Sequence, residues 1–220
     1  MNVETILFDM DGIVIDSERL HIEAMALTLK KFEIEFPHGE INDFVGRSDE
    51  SFFQYVYDDF DNKFSITEML DEKNRQFDIL INELQFIEGF NDFMSQVQAR
   101  KLKTALVTSS SAYSVGRAND ILNHTKLFDV VIAEESTSKH KPNPEPYLLA
   151  LEETNSAAHT AVVIEDSING IIAGKAAGCI VVGLTTSFDE EKLIEAGADY
   201  VFDSFNELGD FLDTISSPSE

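Results

Sequence analysis

The sequence predicts an α/β fold: a Rossmann-like core domain on a parallel sheet, with a small all-helical cap domain inserted after the first strand. Six apolar, β-branched runs alternate with helix-like stretches through most of the chain, the pattern of a parallel sheet covered on both faces. From about Asp16 to Phe86 that rhythm stops and helical periodicity replaces it. With 220 residues, 43% apolar and 26% charged, the chain can bury a full core and is not of disordered composition.

The elements follow in order. The first strand is VETILFD (3–9), closed by a turn at Gly12. The insert opens with SERLHIEAMALTLKKF, which sets Leu20, Ala24, Leu27 and Lys31 on neighbouring turns behind Ser17 as N-cap. Its last helix, SITEMLDEKNRQFDILINEL, starts at Ser65 or Thr67 and carries Met69, Leu70, Phe77, Leu80 and Leu84. The aromatics of SFFQYVYDDF between them are expected to form the insert's own core. The division is therefore 1–15 and 87–220 for the core and 16–86 for the cap. Strands KTALVTS (103–109), FDVVIAE (128–134), TAVVIED (160–166), CIVVGLT (179–185) and DYVFD (199–203) complete the sheet. Helices are expected near 90–100, 111–123, 144–154, 167–177, 189–196 and 204–215.

Charge narrows the partners. Sixteen basic against 41 acidic residues give a formal charge of −25, so nucleic acid and anionic membrane, which need a basic face, are not expected as partners. No apolar stretch reaches the roughly 18–20 residues of a membrane span, and the start carries no basic leader. Cys179 is the single cysteine, which suits a reducing cytoplasm. An anionic substrate would need local help from a divalent cation and a well-placed lysine. The oligomeric state is not readable from the chain; a monomer is compatible with it.

In an open parallel sheet, ligands bind beyond the carboxyl ends of the strands. The first strand ends at Asp9, with Asp11 two residues on and therefore on the same side of the pleat. The second ends at Thr108, followed by Ser109 and Ser110. After the third comes SKHKPNPEPY with Lys141, and the fourth ends at Glu165 and Asp166 before a helix opening with Ser167. Each has an ordinary reading: turn formers around Gly12, helix caps at Thr108 or Ser109, a surface lysine, acids that support a turn. Gly170, Ala173, Gly174, Ala176, Ala177 and Gly178 are expected to permit close helix–sheet packing. These ordinary readings stand beside the chemical one, and for Glu165 and the Thr108–Ser109 pair both stay open.

DMDGIVIDS, LVTSSS, KHKPNPEPY and VVIEDSINGIIAGKAAG together resemble the haloacid dehalogenase superfamily, in its magnesium-dependent phosphatase and phosphomutase branch, over nearly the whole chain. The resemblance implies that Asp9 attacks phosphorus to form an aspartyl-phosphate and that Asp11 handles the leaving-group and water protons. It implies Mg2+ held by Asp9, Asp166 and the Asp11 backbone carbonyl, with Glu165 as a direct ligand or as a supporting acceptor. Thr108, Ser109, Ser110 and Lys141 would hold the phosphoryl oxygens. Metal contact is expected to keep Asp9 ionised, while Asp11 begins protonated. Asp16 and Ser17 are expected to shape the turn into the insert.

The insert resembles the cap of the β-phosphoglucomutase-like and sugar-phosphatase subgroup. There the position of His21 is associated with the acid–base residue, and FVGRSDESFF matches a Gly-x-Ser turn at Gly46 and Ser48. The ordinary reading of His21, a histidine on a lid helix, stands beside this. True mutases carry an arginine for the second phosphate where this chain has Asp49, which would repel that phosphate; its removal is expected to cost little activity. Arg47 and Lys73 are the candidate substrate-binding cations of the insert. The expected function is Mg2+-dependent hydrolysis of a small phosphorylated metabolite, such as a sugar or polyol phosphate. β-Phosphoglucomutase is the alternative and a non-catalytic binding module the remote one. Retention of Asp11 and an acidic metal site argues against a haloacid dehalogenase activity.

Overall fold

The computed structural model describes residues 3–37, 41, 44, 47–60 and 63–216, the side chains of 213–216 excepted; Gly46 of the expected turn lies outside them. Six strands form one parallel sheet in the order β3-β2-β1-β4-β5-β6. They are β1 (Thr5–Phe8), β2 (Lys103–Val107), β3 (Val130–Ile132), β4 (Ala161–Glu165), β5 (Ile180–Leu184) and β6 (Tyr200–Phe202). All six lie inside the runs read from the sequence. β1 is central, flanked by β2 and β4, so the chain order reverses direction beside it and opens a crevice at its carboxyl end.

Alternation along the strands sorts their side chains between two cores. Ile6 and Phe8 of β1, Leu106 of β2 and Ile164 of β4 face one side, with Phe90, Phe93 and Leu208 from α4 (Phe90–Ala99) and α9 (Phe205–Ser216). Leu7, Ala105, Val107 and Val163 face the other. There they meet α6 (Glu145–Glu153), α7 (Ile168–Ala176) and α8 (Glu190–Ala196) through Tyr147, Ile171 and Leu193. Phe8 meets Phe90, Phe93 and Phe128 edge-on at 5.5–6.1 Å, contacts worth about 0.5–1.5 kcal/mol each beyond area burial. α5 (Ala112–Leu122) follows β2.

Between β1 and α4 run α1 (Glu18–Lys31), α2 (Asp49–Asp59) and α3 (Ile66–Leu80). They enclose a third cluster of Met25, Leu29, Ile34, Ile41, Phe52, Phe53, Val56 and Met69. The α1 stripe is Leu20, His21, Ala24, Met25, Thr28 and Leu29; Leu27, expected within it, is half-buried. Of the aromatics in SFFQYVYDDF, Phe52 and Phe53 are buried, whereas Tyr57 and Phe60 are 36% and 38% exposed. The start of α3 is settled at Ser65, whose hydroxyl accepts from Glu68 N–H while Glu68 reaches back to Ser65 N–H. The chain leaves and returns side by side. Asp16 N–H donates to Gln85, Ile87 N–H donates to Val14, and Ile15 bridges Phe86 antiparallel. No helix among the described residues is long and apolar enough to cross a membrane.

Candidate active site

The register pairs Phe8 with both Leu106 and Ile164, so the residues that follow emerge together at the sheet's carboxyl edge. Asp9 is buried there. Lys141 reaches it from the loop before α6, donating to Asp9 Oδ1 at 2.5 Å, Glu165 Oε1 at 2.7 Å and the Val107 carbonyl at 2.9 Å. Three acceptors match the three protons of an ammonium. The Tyr147 ring lies 4.9 Å from the same nitrogen. Asp9 and Glu165 hold the lysine above its ordinary value despite burial.

Glu165 is completely covered, and both its oxygens are spoken for. Oε1 accepts from Lys141 and Tyr147, and Oε2 accepts from Ser167 Oγ and the N–H groups of Asp166 and Ser167. A Cβ at Gly170 would sit 1.7 Å from Oε1, so glycine there makes room for this carboxylate rather than only for helix–sheet packing. Gly174 does abut the sheet, through Val163 and Val181.

Asp11 occupies a pocket of donors. Ser17 Oγ donates to Oδ1, and Ser110 Oγ at 2.7 Å and Thr108 Oγ1 at 3.2 Å donate to Oδ2. His21 Nε2 stands 3.4 Å from Oδ1. Burial alone would raise this carboxyl, but His21, Ser17 and Ser110 outweigh it and hold Asp11 below the usual carboxylate range. Two expectations change here. Ser17 sits at the N-cap position of α1, yet its hydroxyl serves Asp11. The Thr108 and Ser110 hydroxyls turn to Asp11 as well, and Ser111 caps α5. The protein's own groups, a cation's contact apart, set the two acids in different ranges. Burial, reinforced by Glu165, Asp166 and Asp11, pushes Asp9 well above the usual range even against Lys141.

Asp9, Glu165 and Asp166 each bring a carboxylate oxygen within 4.8 Å of the other two. Asp166 is raised by burial and by Glu165, and a hydroxyl bond from Ser187 offsets only part of this. Gly12 has φ +78° and lies so close that a Cβ would fall 1.9 Å from Asp166 Oδ2, so the turn after β1 requires glycine twice over. Hard oxygen donors crowded until they resist ionisation are a donor set that a divalent cation relieves. The Asp9 and Asp166 carboxylates have oxygen capacity left; Glu165 has little.

From the helical side, Asp49, Arg47, His21 and Glu18 join Asp9, Asp11, Ser109, Ser110 and Asp166 around a cavity of about 30 Å3. Ile22, Met25, Ile41 and Phe44 close its apolar wall. Arg47 is exposed, its guanidinium 5.1 Å from the Phe44 ring. Lys73, expected to bind substrate, is instead 0% exposed and lies behind the wall. It donates to His21 Nδ1 at 2.7 Å and Asp49 Oδ2 at 2.5 Å, with the Phe77 ring 5.0 Å away. Accepting at Nδ1 leaves the His21 proton on Nε2, towards Asp11.

Glu18, Ser187 and the acceptor role of Asp49 escape sequence reasoning. Glu18 sits beside a flagged Ser17, and its position next to Asp11 and Asp9 was a usable signal. Burial and the neighbouring Asp11, Asp9 and Asp49 raise its carboxyl to about 8. Ser187 lies 21 residues from Asp166 in an unremarked loop, with no such signal.

A family model described as haloacid dehalogenase-like hydrolase matches residues 6–184. A phosphorylated carbohydrates phosphatase of Thermotoga maritima is 30% identical over 202 residues, covering 89% of this chain and 92% of that protein. A validoxylamine A 7'-phosphate phosphatase of Streptomyces hygroscopicus subsp. limoneus is 31% identical over 192 residues, covering 86% and 89%. Among solved structures, CbbY from Rhodobacter sphaeroides in complex with xylulose-(1,5)bisphosphate superposes with a TM-score of 0.83 at 27% identity, covering 94% of this chain and 96% of that one.

Proposed function

Because this chain belongs to the haloacid dehalogenase-like hydrolases, enzymes of phosphoester hydrolysis, we propose that it is a Mg2+-dependent phosphatase of a small phosphorylated metabolite, a sugar or polyol phosphate. The observation that carries this reading is that Asp9 and Asp11 meet Asp166 from another segment on one cavity edge, with Lys141 from a third bonded to Asp9 behind it. The two relatives whose names specify phosphorylated carbohydrates and validoxylamine A 7'-phosphate support the substrate class.

In this reading Asp9 is the nucleophile: its carboxylate oxygen bonds to phosphorus as the bond to the alcohol oxygen breaks. Asp11 donates the proton that the departing alcohol takes up. It then removes a proton from the water that cleaves the aspartyl-phosphate, returning Asp9 as a carboxylate and releasing inorganic phosphate. The expected protonated start of Asp11 requires the incoming phosphate to overcome its present donors. Lys141, held between Asp9 and Glu165, fixes the nucleophile's direction and faces the charge that develops in transfer. Asp9, Asp166 and the Asp11 carbonyl would hold Mg2+, which when bound neutralises phosphoryl oxygen charge. We assign Glu165 chiefly to orienting Lys141 and the turn into α7, since five donors already occupy it. Residues 16–86 act as a cap and residues 1–15 and 87–220 as the core. The lone cysteine, Cys179, is buried, which accords with a cytoplasmic enzyme.

The test is phosphate release by purified protein with Mg2+ from a panel of phosphorylated metabolites, alongside Asp9→Asn. Wild type should turn over sugar phosphates, and Asp9→Asn should fall to background while its circular dichroism is unchanged, because an amide does not attack phosphorus. Wild-type-like turnover by Asp9→Asn removes the mechanism.

A further inference from the structure

The helical wall of the cavity has an uneven charge distribution. Lys73 is the one fully buried cation that the described part of this wall contains, and its charge is committed. Two of its protons go to Asp49 and His21, and its nitrogen has no exposure to the cavity. Asp49, not Lys73, lines the space. Glu18 lines it too, with no hydrogen-bond donor on its carboxyl among the described residues. Arg47 is the remaining cation of the lining among the described residues, but it is exposed and lies over Phe44. Solvent and salt weaken what an exposed charge of that kind can hold. The well-buried cation of the site, Lys141, lies at the opposite end with Asp9 and Glu165.

The consequence concerns the part of the substrate that does not react. A dianionic group on the helical side would lose water, face the Asp49 carboxylate and find no uncommitted buried donor cation among the described residues. An uncharged hydroxyl-bearing chain has no such difficulty. It can hydrogen-bond to Glu18 or Asp49 and lie against Ile22, Met25, Ile41 and Phe44. We propose that the pocket selects phosphate esters with one phosphoryl group and an uncharged remainder, the Asp49–Lys73 pair acting as the element that rejects a second anion. This rests on the phosphatase reading above and narrows its substrate class.

The experiment compares a hexose 6-phosphate with the corresponding hexose 1,6-bisphosphate, measuring phosphate release with saturating Mg2+. Like-charge contact inside a binding site costs enough that wild type should favour the monophosphate by at least about tenfold in kcat/KM. The disadvantage of the bisphosphate should lie mainly in KM. Asp49→Asn should shrink that ratio several-fold, whereas Asp49→Glu, which keeps the charge, should preserve it. Equal or better use of the bisphosphate by wild type overturns the inference. So does an equal fall for both substrates in Asp49→Asn with the ratio unmoved. If Asp49→Asn does not fold, the wild-type ratio and Asp49→Glu decide. Absence of phosphate release from every ester tried, p-nitrophenyl phosphate included, overturns the phosphatase reading itself; release without discrimination overturns only the selection.

Discussion

Replacing Lys141 with methionine keeps the unbranched stem as far as the ε position and deletes the ammonium. The change leaves Asp9, Glu165 and the Val107 carbonyl without their shared donor, all in a region where the lysine itself is buried. Removing one partner of a buried ion pair typically costs about 3–5 kcal/mol, because the survivors remain desolvated and unpaired. For a chain of this size each kcal/mol moves the melting midpoint by about 2–4 °C, so Lys141→Met should melt about 6–20 °C below wild type. Lys141 is held protonated above its ordinary value, so its contribution is fully present below about pH 10.5 and is lost only as pH rises through the higher folded value. In the variant Asp9, already pushed up by burial, can take up a proton, so the deficit should narrow as pH falls from 8 to 5. Differential scanning calorimetry across that range is the assay, with Lys141→Met/Glu165→Gln completing a double-mutant cycle. The pair should couple by at least about 1 kcal/mol. A Lys141→Met protein that melts within about 2 °C of wild type at pH 8, or a cycle without coupling, refutes the reasoning.

Other positions make separate claims. Gly170→Ala drives a Cβ into Glu165 and should destabilise by about 2–4 kcal/mol in urea unfolding. Gly116→Ala, where nothing lies within 4 Å, should gain about 0.5–1 kcal/mol as an α5 residue; equal effects at the two glycines would contradict the packing described. Ser65→Ala removes the cap of α3 and should cost about 1 kcal/mol, read from the same unfolding curves. His124 is fully buried with neither ring nitrogen partnered among the described residues, and burial lowers its imidazole below the usual value. The unfolded chain therefore binds the proton first, so stability should fall as pH drops below about 6.5. His124→Leu should flatten that slope, and an unchanged slope would show that this ring does not titrate on unfolding.

The strands were readable because parallel strands buried on both faces are written as continuous Val, Ile and Leu runs, and VVIE or LVTS admits few other readings. Their chemistry was readable for a related reason: Asp9, Thr108 and Glu165 each terminate such a run, so topology alone brings them to one edge. The insert was harder. Helical spacing marks α1 and α3, yet it does not say which way a long side chain turns. Lys73 was read as a substrate cation from its likeness to a lid lysine of the mutases, and its partners, Asp49 and His21, were not visible locally because they stand 24 and 52 residues away. Ser17 was read as a capping hydroxyl because local bonding is the usual use of such residues, and Thr108 as a group for phosphoryl oxygens; Asp11 competes for both from elsewhere in space.

The paired backbone at Val14–Asp16 and Gln85–Ile87 bears on how such a protein diversifies. Exit and return share one doorway, so a longer, shorter or unrelated segment can be spliced between them without moving any strand. Descendants of this scaffold can thus exchange the helical segment while inheriting the acidic strand end at Asp9 untouched.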